Sequence, residues 1–499
     1  MIMENRWRAK AGKHIILIVI LCGSLVLLLA NLGNQYLWTD EAQTALLSKT
    51  ILTEGVPRGY DGKNFFSQEF GAEYGKNYIW RLHTWLPFYV LAGFYKVFGV
   101  STFVSRLPFA LFGFGTVVLT YFSARALWPG SRAPAIAAGL LAVSVPFLLL
   151  SRQCRYYSLA TFFFMLSLYA YVALTQRRRY SGVLLFISST MLFHSLHIYI
   201  VALYGALLVH AIIFHRDRLV LLTAAMAATI LFNLPWLIWM SGMNRDYLLR
   251  LQHGFILKEF MKIYARDIIK YAFPLWLLAI GAVAAIARVS RRGYSVRQGW
   301  TSLGKAMLPV LLTISNVVVI AIFAPTTYFR YLSPVIPLLI LITAVIIDAV
   351  ADLQALLAVA TAVILIATGQ LNEYLYEITH DYDGPEEGIA RYLNEHGSID
   401  DIVAVDYGDM SLKFYTKMRV VGGLTGEDLE PAKNARWVVI RKADIGVRGQ
   451  LLEKIDLGRY RQIVLDYPDI AWENREDPGL HLFRTSTSSD KVVIYERID

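Results

Sequence analysis

The stretch Trp85-Leu-Pro-Phe-Tyr-Val-Leu-Ala-Gly-Phe-Tyr-Lys-Val-Phe-Gly99 decides how the chain is threaded. It is apolar and rich in aromatics, but it is only fifteen residues long and carries Pro87 and Lys96. A helix needs about 20 residues to cross the ~30 Å hydrocarbon core. Fifteen are too few, and the composition fits a helix lying in the membrane interface.

On either side lie apolar runs at roughly 15–32, 106–127, 133–150, 157–175, 181–193, 196–214, 219–240, 271–288, 306–324, 331–348 and 352–368. Charge decides whether 85–99 joins them. Arg6, Arg8, Lys10 and Lys13 make the N-terminus cytoplasmic. If 85–99 does not cross, the inside loops carry Arg125 and Arg132, Arg177–Arg179, Arg216 and Arg218, and the group from Arg288 to Lys305. A crossing would move most of these outside, against the positive-inside bias. The expectation is about eleven transmembrane helices. Parity then puts the loop 33–105, the connections 151–156, 194–197, 241–270 and 325–330, and the C-terminal tail on the outer face.

Composition agrees. Of 499 residues, 56% are hydrophobic and 17% charged, with a mean hydropathy of +0.46. A soluble chain carries about 25% charged residues. Soluble enzymes, secreted disulfide scaffolds and free nucleic-acid binders are excluded. The net charge of +10 does not point to nucleic acid, because residues 385–499 hold 16 basic against 21 acidic side chains. The basic excess lies in short loops between apolar runs, as topology signals. Cys22 falls inside the first apolar run and Cys154 at the end of another, so a bridge between them is not expected. Ile15–Ala30 has no small-residue cleavage site after it and reads as a first span rather than a signal peptide.

The fold expected is a polytopic α-helical membrane protein, residues 1–370, whose large first outer loop 33–105 contains interfacial helices. A small α/β domain over 385–499 follows on the outer face. Pro385–Ser398 reads as an amphipathic helix with an acidic first turn and Gly397 near its end. Short β-rich runs follow at 401–407, 419–424, 436–442, 461–467, 480–485 and 491–497, with a helical pattern at 410–418. No glycine-rich phosphate motif follows a strand there, so no nucleotide is assigned.

The chemistry-bearing residues gather at the outer boundary. Trp38-Thr39-Asp40-Glu41-Ala42 stands where the first span leaves the membrane. Adjacent carboxylates at a membrane edge are costly unless used, although Thr39 capping a helix over 42–53 would also account for them. The loop then supplies Asp61, Glu69, Glu73, Arg81 and His83, and Arg106 follows the interfacial helix. Ser151-Arg152-Gln153-Cys154-Arg155-Tyr156-Tyr157 places two arginines beside a tyrosine pair. Arg330 stands in Tyr328-Phe329-Arg330-Tyr331. His194 and His197 have a spacing that can bind metal, though ordinary hydrogen bonding at an outer turn explains them as well. A carboxylate base beside several cations suits transfer from an anionic, phosphate-activated donor.

An ordered series of motifs carries a family resemblance: T-D-E-A at 39–42, G-V-P-R-G-Y-D-G at 55–62, L-P-F-Y-V-L-A-G-F-Y-K-V-F-G-V-S at 86–101, R-L-P-F-A at 106–110, S-R-Q-C-R-Y-Y-S-L at 151–159 and F-R-Y-L-S-P-V-I-P at 329–337. The chain resembles the GT-C glycosyltransferases of the protein O-mannosyltransferase and aminoarabinose-transferase (PMT-like) type. The resemblance is strongest over 36–175 and is not diagnostic in the tail. It implies a polyprenyl-phosphate-sugar donor, an inverting transfer on the outer face, and a lipid, glycan or protein acceptor. Carried over by position, Asp40 is the candidate base, Glu41 its partner, and Arg106 the arginine opening the next block. Arg81, His83, Arg106, Arg152, Arg155 and Arg330 become candidate phosphate contacts. Asp61, Glu69, Glu73, Tyr156, His194 and His197 become further pocket candidates. Arg81-Leu-His-Thr-Trp-Leu-Pro87 departs from the family's Lys-Pro-Pro-Leu, and Glu69 competes with Glu73 for the second acid. Metal dependence varies within the fold, so a divalent metal stays open.

The function expected is a membrane glycosyltransferase in the inner or plasma membrane of a bacterial-type cell envelope, in contact with membrane lipids. The alternative is a transporter or flippase of lipid-linked sugars. Such a transporter should carry ionisable groups at the middle of broken spans, and the apolar runs are nearly free of them.

Overall fold

A computed structural model of the chain describes residues 2–240, 254–292, 296–442, 447–470 and 478–498. In chain order the helices are α1 (Ile2–Leu29), α2 (Thr39–Glu54), α3 (Leu86–Phe98), α4 (Thr102–Leu127), α5 (Ala133–Ala142), α6 (Val145–Ser151), α7 (Tyr156–Thr175), α8 (Ser181–Leu196), α9 (Ile198–Phe214), α10 (Leu219–Met240), α11 (Gly254–Tyr271), α12 (Trp276–Arg292), α13 (Val296–Phe323), α14 (Val335–Leu353), α15 (Ala355–Thr368) and α16 (Leu371–Thr379). The tail continues with α17 (Pro385–His396), β1 (Ile402–Val405), α18 (Asp409–Tyr415), β2 (Arg419–Gly422), β3 (Trp437–Ile440), α19 (Arg448–Leu452), β4 (Tyr460–Pro468) and β5 (Lys491–Arg497). Two compact units result. One comprises Met1–Ala30, Phe109–Trp239 and Arg245–Tyr374; the other comprises Asn31–Pro108, Met240–Asn244 and Leu375–Asp499.

The first unit is a bundle of apolar helices, the signature of an integral membrane protein. Among the described residues five helices are long and apolar enough to cross a membrane, or up to eight if each bent pair is one span. Its centre is α14, whose sequence is apolar nearly all round. Such a helix must be buried on every side, and α14 packs against α5, α12 and α13. The α7–α8 and α9–α13 pairs complete the core.

Three apolar runs differ from their continuous sequence appearance. The run 133–150 is α5 and α6, bent by 63°. Pro146 has no N–H to give the carbonyl of Ala142 and clashes with it, so α5 ends there. The run 271–288 is joined, across Pro274, to a helix that begins inside the expected connection 241–270, with a bend of 73° between them. The run 352–368 turns by 54° into α16. The expected turn 194–197 is a single break at His197, so His194 lies inside α8.

The second unit joins the first long loop to the tail. Loop residues 33–105, grouped by sequence with the membrane-spanning part, fold in one compact unit with the residues after Leu375. Helix α2 starts at Thr39, three residues earlier than expected, and Trp38 rather than Thr39 occupies the cap. Helix α3 has thirteen residues, a rise of about 20 Å. It buries Pro87, Phe88, Leu91, Ala92 and Tyr95 on one face, and it packs on α2.

The tail sheet has the order β2-β1-β3-β5-β4, parallel across β2, β1 and β3 and antiparallel thereafter. Strands β1, β2 and β3 read as short apolar runs because both faces are covered, whereas β4 leaves Arg461, Gln462 and Asp466 exposed. Val403, Val405, Val420 and Trp437 pack under α17 residues Ile389 and Leu393, whereas Ala404, Val421 and Val438 pack with Leu429, Leu451 and Ile455. The run 480–485 forms no strand. His481 and Phe483 turn inward instead, and His481 Nε2 meets Glu377 Oε2 at 2.5 Å, so side-chain anchors replace a backbone ladder.

Candidate active site

In the second unit, Asp40 and Glu41 occupy the first turn of α2, where negative charge meets the positive end of the helix. Asp40 is 8% exposed and Glu41 fully buried. Glu41 is held by Arg106, with Nε to Oε1 at 2.9 Å and Nη2 to Oε2 at 2.7 Å. The same guanidinium donates to the carbonyls of Leu32 (3.1 Å), Gln35 (2.8 Å) and Tyr36 (3.1 Å). A guanidinium has five N–H groups, and these five bonds use them all. Arg106 therefore differs from the phosphate contact expected of it. It is a clamp that fixes the approach to α2, and Glu41 is its buried counter-charge.

The other loop candidates are also committed locally. Glu73 accepts from Gln68 N (2.6 Å), Glu69 N (3.1 Å), Gln43 Nε2 (3.3 Å) and Ser67 Oγ (2.8 Å), closing the turn around itself. Asp61 accepts from the backbone of Lys63 and Asn64 in an Asx turn. Glu69 is exposed. Arg81 lies along Gly75. His83 binds the Thr84 carbonyl through Nδ1 at 3.0 Å and packs between Trp80 and Phe88, in the cluster that joins α2 to α3.

The first unit brings together a different subset. Arg155 is the extended residue immediately before α7, and its guanidinium lies 5.3 Å from the ring centre of Tyr156. Arg330, in the short turn Phe329–Leu332, sits 4.3 Å over Tyr328 and 5.6 Å over Tyr331. Arg155, Arg330 and Tyr331 all lie within electrostatic reach of the Tyr156 hydroxyl. Two fully buried tyrosines that sequence reasoning missed hold this turn in place. Tyr199 donates to the Tyr331 carbonyl (2.9 Å), and Tyr264 donates to that of Thr326 (3.1 Å). Their only sequence signal is a polar aromatic inside or beside an apolar helix.

Two cations and the N-terminus of a twenty-residue helix converge here, an arrangement suited to an anion. Arg152 belongs elsewhere: its Nη1 caps the end of α1 through the carbonyls of Leu27 (3.0 Å) and Ala30 (2.7 Å). His194 packs edge-on against Trp236 and bonds Asn233, whereas His197 leans on Phe193. Among the described residues, no three His, Cys, Asp or Glu side chains form a metal-binding group.

Residues 82–239 match the family described as dolichyl-phosphate-mannose-protein mannosyltransferase. No curated protein matches the chain in sequence. Among solved structures, ArnT from Cupriavidus metallidurans is similar in its apo state, with a TM-score of 0.63 at 15% identity over 98% of both chains. The ArnT structure bound to undecaprenyl phosphate gives 0.60 at 15% identity, over 96% of this chain and 97% of that one. The oligosaccharyltransferase AglB from Archaeoglobus fulgidus, in complex with an inhibitory peptide and a dolichol-phosphate, gives 0.56 at 12% identity, over 87% of this chain and 70% of that one. The mycobacterial arabinofuranosyltransferase AftD gives 0.54 at 14% identity, over 96% of this chain but 40% of that one. At these identities the likeness is one of fold.

Proposed function

On the premise that the chain resembles the PMT/ArnT-like GT-C glycosyltransferases in fold and over residues 82–239, we propose that it transfers a sugar from a polyprenyl-phosphate carrier to an acceptor hydroxyl or amine at the outer face. The observation that carries this reading is the convergence of Arg155 and Arg330 on Tyr156 at the start of α7. ArnT, with the same fold, binds undecaprenyl phosphate, and a lipid phosphate is the ligand this cationic helix end suits.

In the proposed reaction the acceptor attacks the anomeric carbon from the side opposite the phosphate. The carbon–oxygen bond to phosphate breaks as the new glycosidic bond forms, inverting the centre. Asp40 takes the acceptor's proton, and polyprenyl phosphate leaves as an anion. Glu41 and Arg106 fix the turn that carries Asp40. The expected threading fits this reading. The five long helices, the three bent pairs and the shorter apolar helices His14–Leu29, Ser181–Leu196 and Ile198–Phe214 would serve as the eleven spans, with α3 interfacial. The N-terminus would then be cytoplasmic, and the loop and tail outside.

Undecaprenyl-phosphate binding by the purified full chain tests the assignment. Arg155→Ala and Arg330→Ala should each weaken binding about ten- to a hundredfold, the scale of a lost charge-assisted contact, while the protein stays folded. Unchanged binding in both variants would reject this phosphate site.

A further inference from the structure

Tyr36 and Leu37 lead into α2 just ahead of Asp40, and side chains hold all four of their main-chain polar groups. The Tyr36 N–H donates to Glu387 Oε1 at 2.7 Å, and the Tyr36 carbonyl accepts from Arg106 at 3.1 Å. The Leu37 N–H donates to the Tyr415 hydroxyl at 2.8 Å, and the Leu37 carbonyl accepts from Ser411 Oγ at 2.6 Å. Three of these four partners come from the tail, more than 340 positions later in sequence. In addition, the Tyr36 and Tyr415 rings stack 3.7 Å apart and nearly parallel, at 14°.

The grip is built with some redundancy. Ser411 and Tyr415 are four residues apart on α18, hence on one face, and that helix packs on α2. The Tyr415 hydroxyl, which accepts from Leu37, also shares a hydrogen bond with Thr102 Oγ1, 2.8 Å away at the start of α4, in which either hydroxyl can donate. Glu387, the third residue of α17, is itself fixed by the Gly384 N–H at 3.2 Å. Burial of main-chain groups requires partners of some kind. Here the partners converge on the dipeptide whose direction sets where the first turn of α2, and so Asp40, is aimed.

We propose that the C-terminal α/β domain is a positioning device for Asp40, acting through Ser411, Tyr415 and Glu387 on the Tyr36–Leu37 backbone. The inference rests on the reading of Asp40 as the base. A displacement of about 1 Å at a catalytic group can cost a hundredfold in rate without disturbing ligand binding.

The test uses the full chain in proteoliposomes. It follows transfer of labelled sugar from a panel of undecaprenyl-phosphate hexoses and pentoses into an envelope extract of cells lacking the chain. Ser411→Ala and Tyr415→Phe should lower kcat about ten- to a hundredfold with donor KM nearly unchanged. Combining Tyr415→Phe with Asp40→Asn should be no slower than Asp40→Asn alone, because both act through one carboxylate. Wild-type kcat in the folded Ser411→Ala variant, or losses that multiply with Asp40→Asn, would overturn the proposal. If Tyr415→Phe does not fold, Ser411→Ala carries the test, since it removes one hydroxyl and no ring. Full turnover in Asp40→Asn would remove the base assignment and the positioning role together. An inactive Asp40→Asn beside a fully active Ser411→Ala and Tyr415→Phe pair rejects the positioning role alone.

Discussion

At the scale of residues, two groups of arginines separate by what they hold. Arg106 has every N–H engaged by Glu41 and three carbonyls. Removing one partner of a buried pair costs about 3–5 kcal/mol, because the other charge stays buried. Arg106→Ala should therefore lower the Tm of the full chain sharply and leave little folded protein in size-exclusion chromatography. Arg106→Lys should not rescue it, because an ammonium cannot reproduce a five-donor fork. A folded Arg106→Ala chain with weakened lipid-phosphate binding would instead restore its role as a phosphate ligand. In sequence Arg106 and Arg155 look alike, each a cation at a membrane edge. What the sequence does not reveal is that the fold brings the carbonyls of Leu32, Gln35 and Tyr36 and the Glu41 carboxylate to Arg106, since no spacing rule predicts it. Asp40 was legible because adjacent carboxylates after a first span are rare. Glu73 was also visible, but its role as an acceptor for four nearby donors depends on the loop's path.

At the scale of elements, α17 ties a buried carboxyl to the loop. Burial pushes Glu387 up to about 7 from an ordinary 4.5, aided by the neighbouring Glu386 and opposed by the N–H groups of Tyr36 and Gly384. Between those two values the folded chain holds a proton that the unfolded chain has released. The stability this group contributes is complete below about 4.5 and is lost as pH rises through 7. Thermal melts of the full chain should show Tm falling from pH 5 to pH 8, and Glu387→Gln should flatten that slope. Parallel slopes in the two proteins would contradict the shift. Most elements of the tail were readable, since β1, β2, β3, β4 and β5 each appear as short apolar runs between turn residues. The run 480–485 misled because its alternation reflects two inward side chains, His481 and Phe483, not a ladder. Proline explains two breaks that hydropathy smoothed over, at Pro146 and Pro274.

At the scale of the molecule, hydropathy and loop charge were enough for the class. A bundle of apolar helices was legible from hydropathy, and the small α/β domain from an amphipathic helix followed by short β-rich runs. The union of residues 31–108 with the tail was not, because its bonds link positions hundreds of residues apart, such as Asn64 with Met418 and Val420. The threading makes its own prediction. Single cysteines at exposed Glu69 and exposed Ile399 should react with an impermeant maleimide from the outer face of intact cells, and one at Arg179 only after permeabilisation. The opposite pattern would invert the topology.

The central claim, that Asp40 is the base for transfer from a lipid-linked sugar, is tested most directly by turnover in proteoliposomes containing the wild-type chain or Asp40→Asn, which preserves shape and removes the charge. The account predicts that transfer falls by about 10²–10⁴, the usual weight of a general base, while undecaprenyl-phosphate binding and Tm stay near wild type. Transfer at the wild-type rate in the folded Asp40→Asn protein would contradict it.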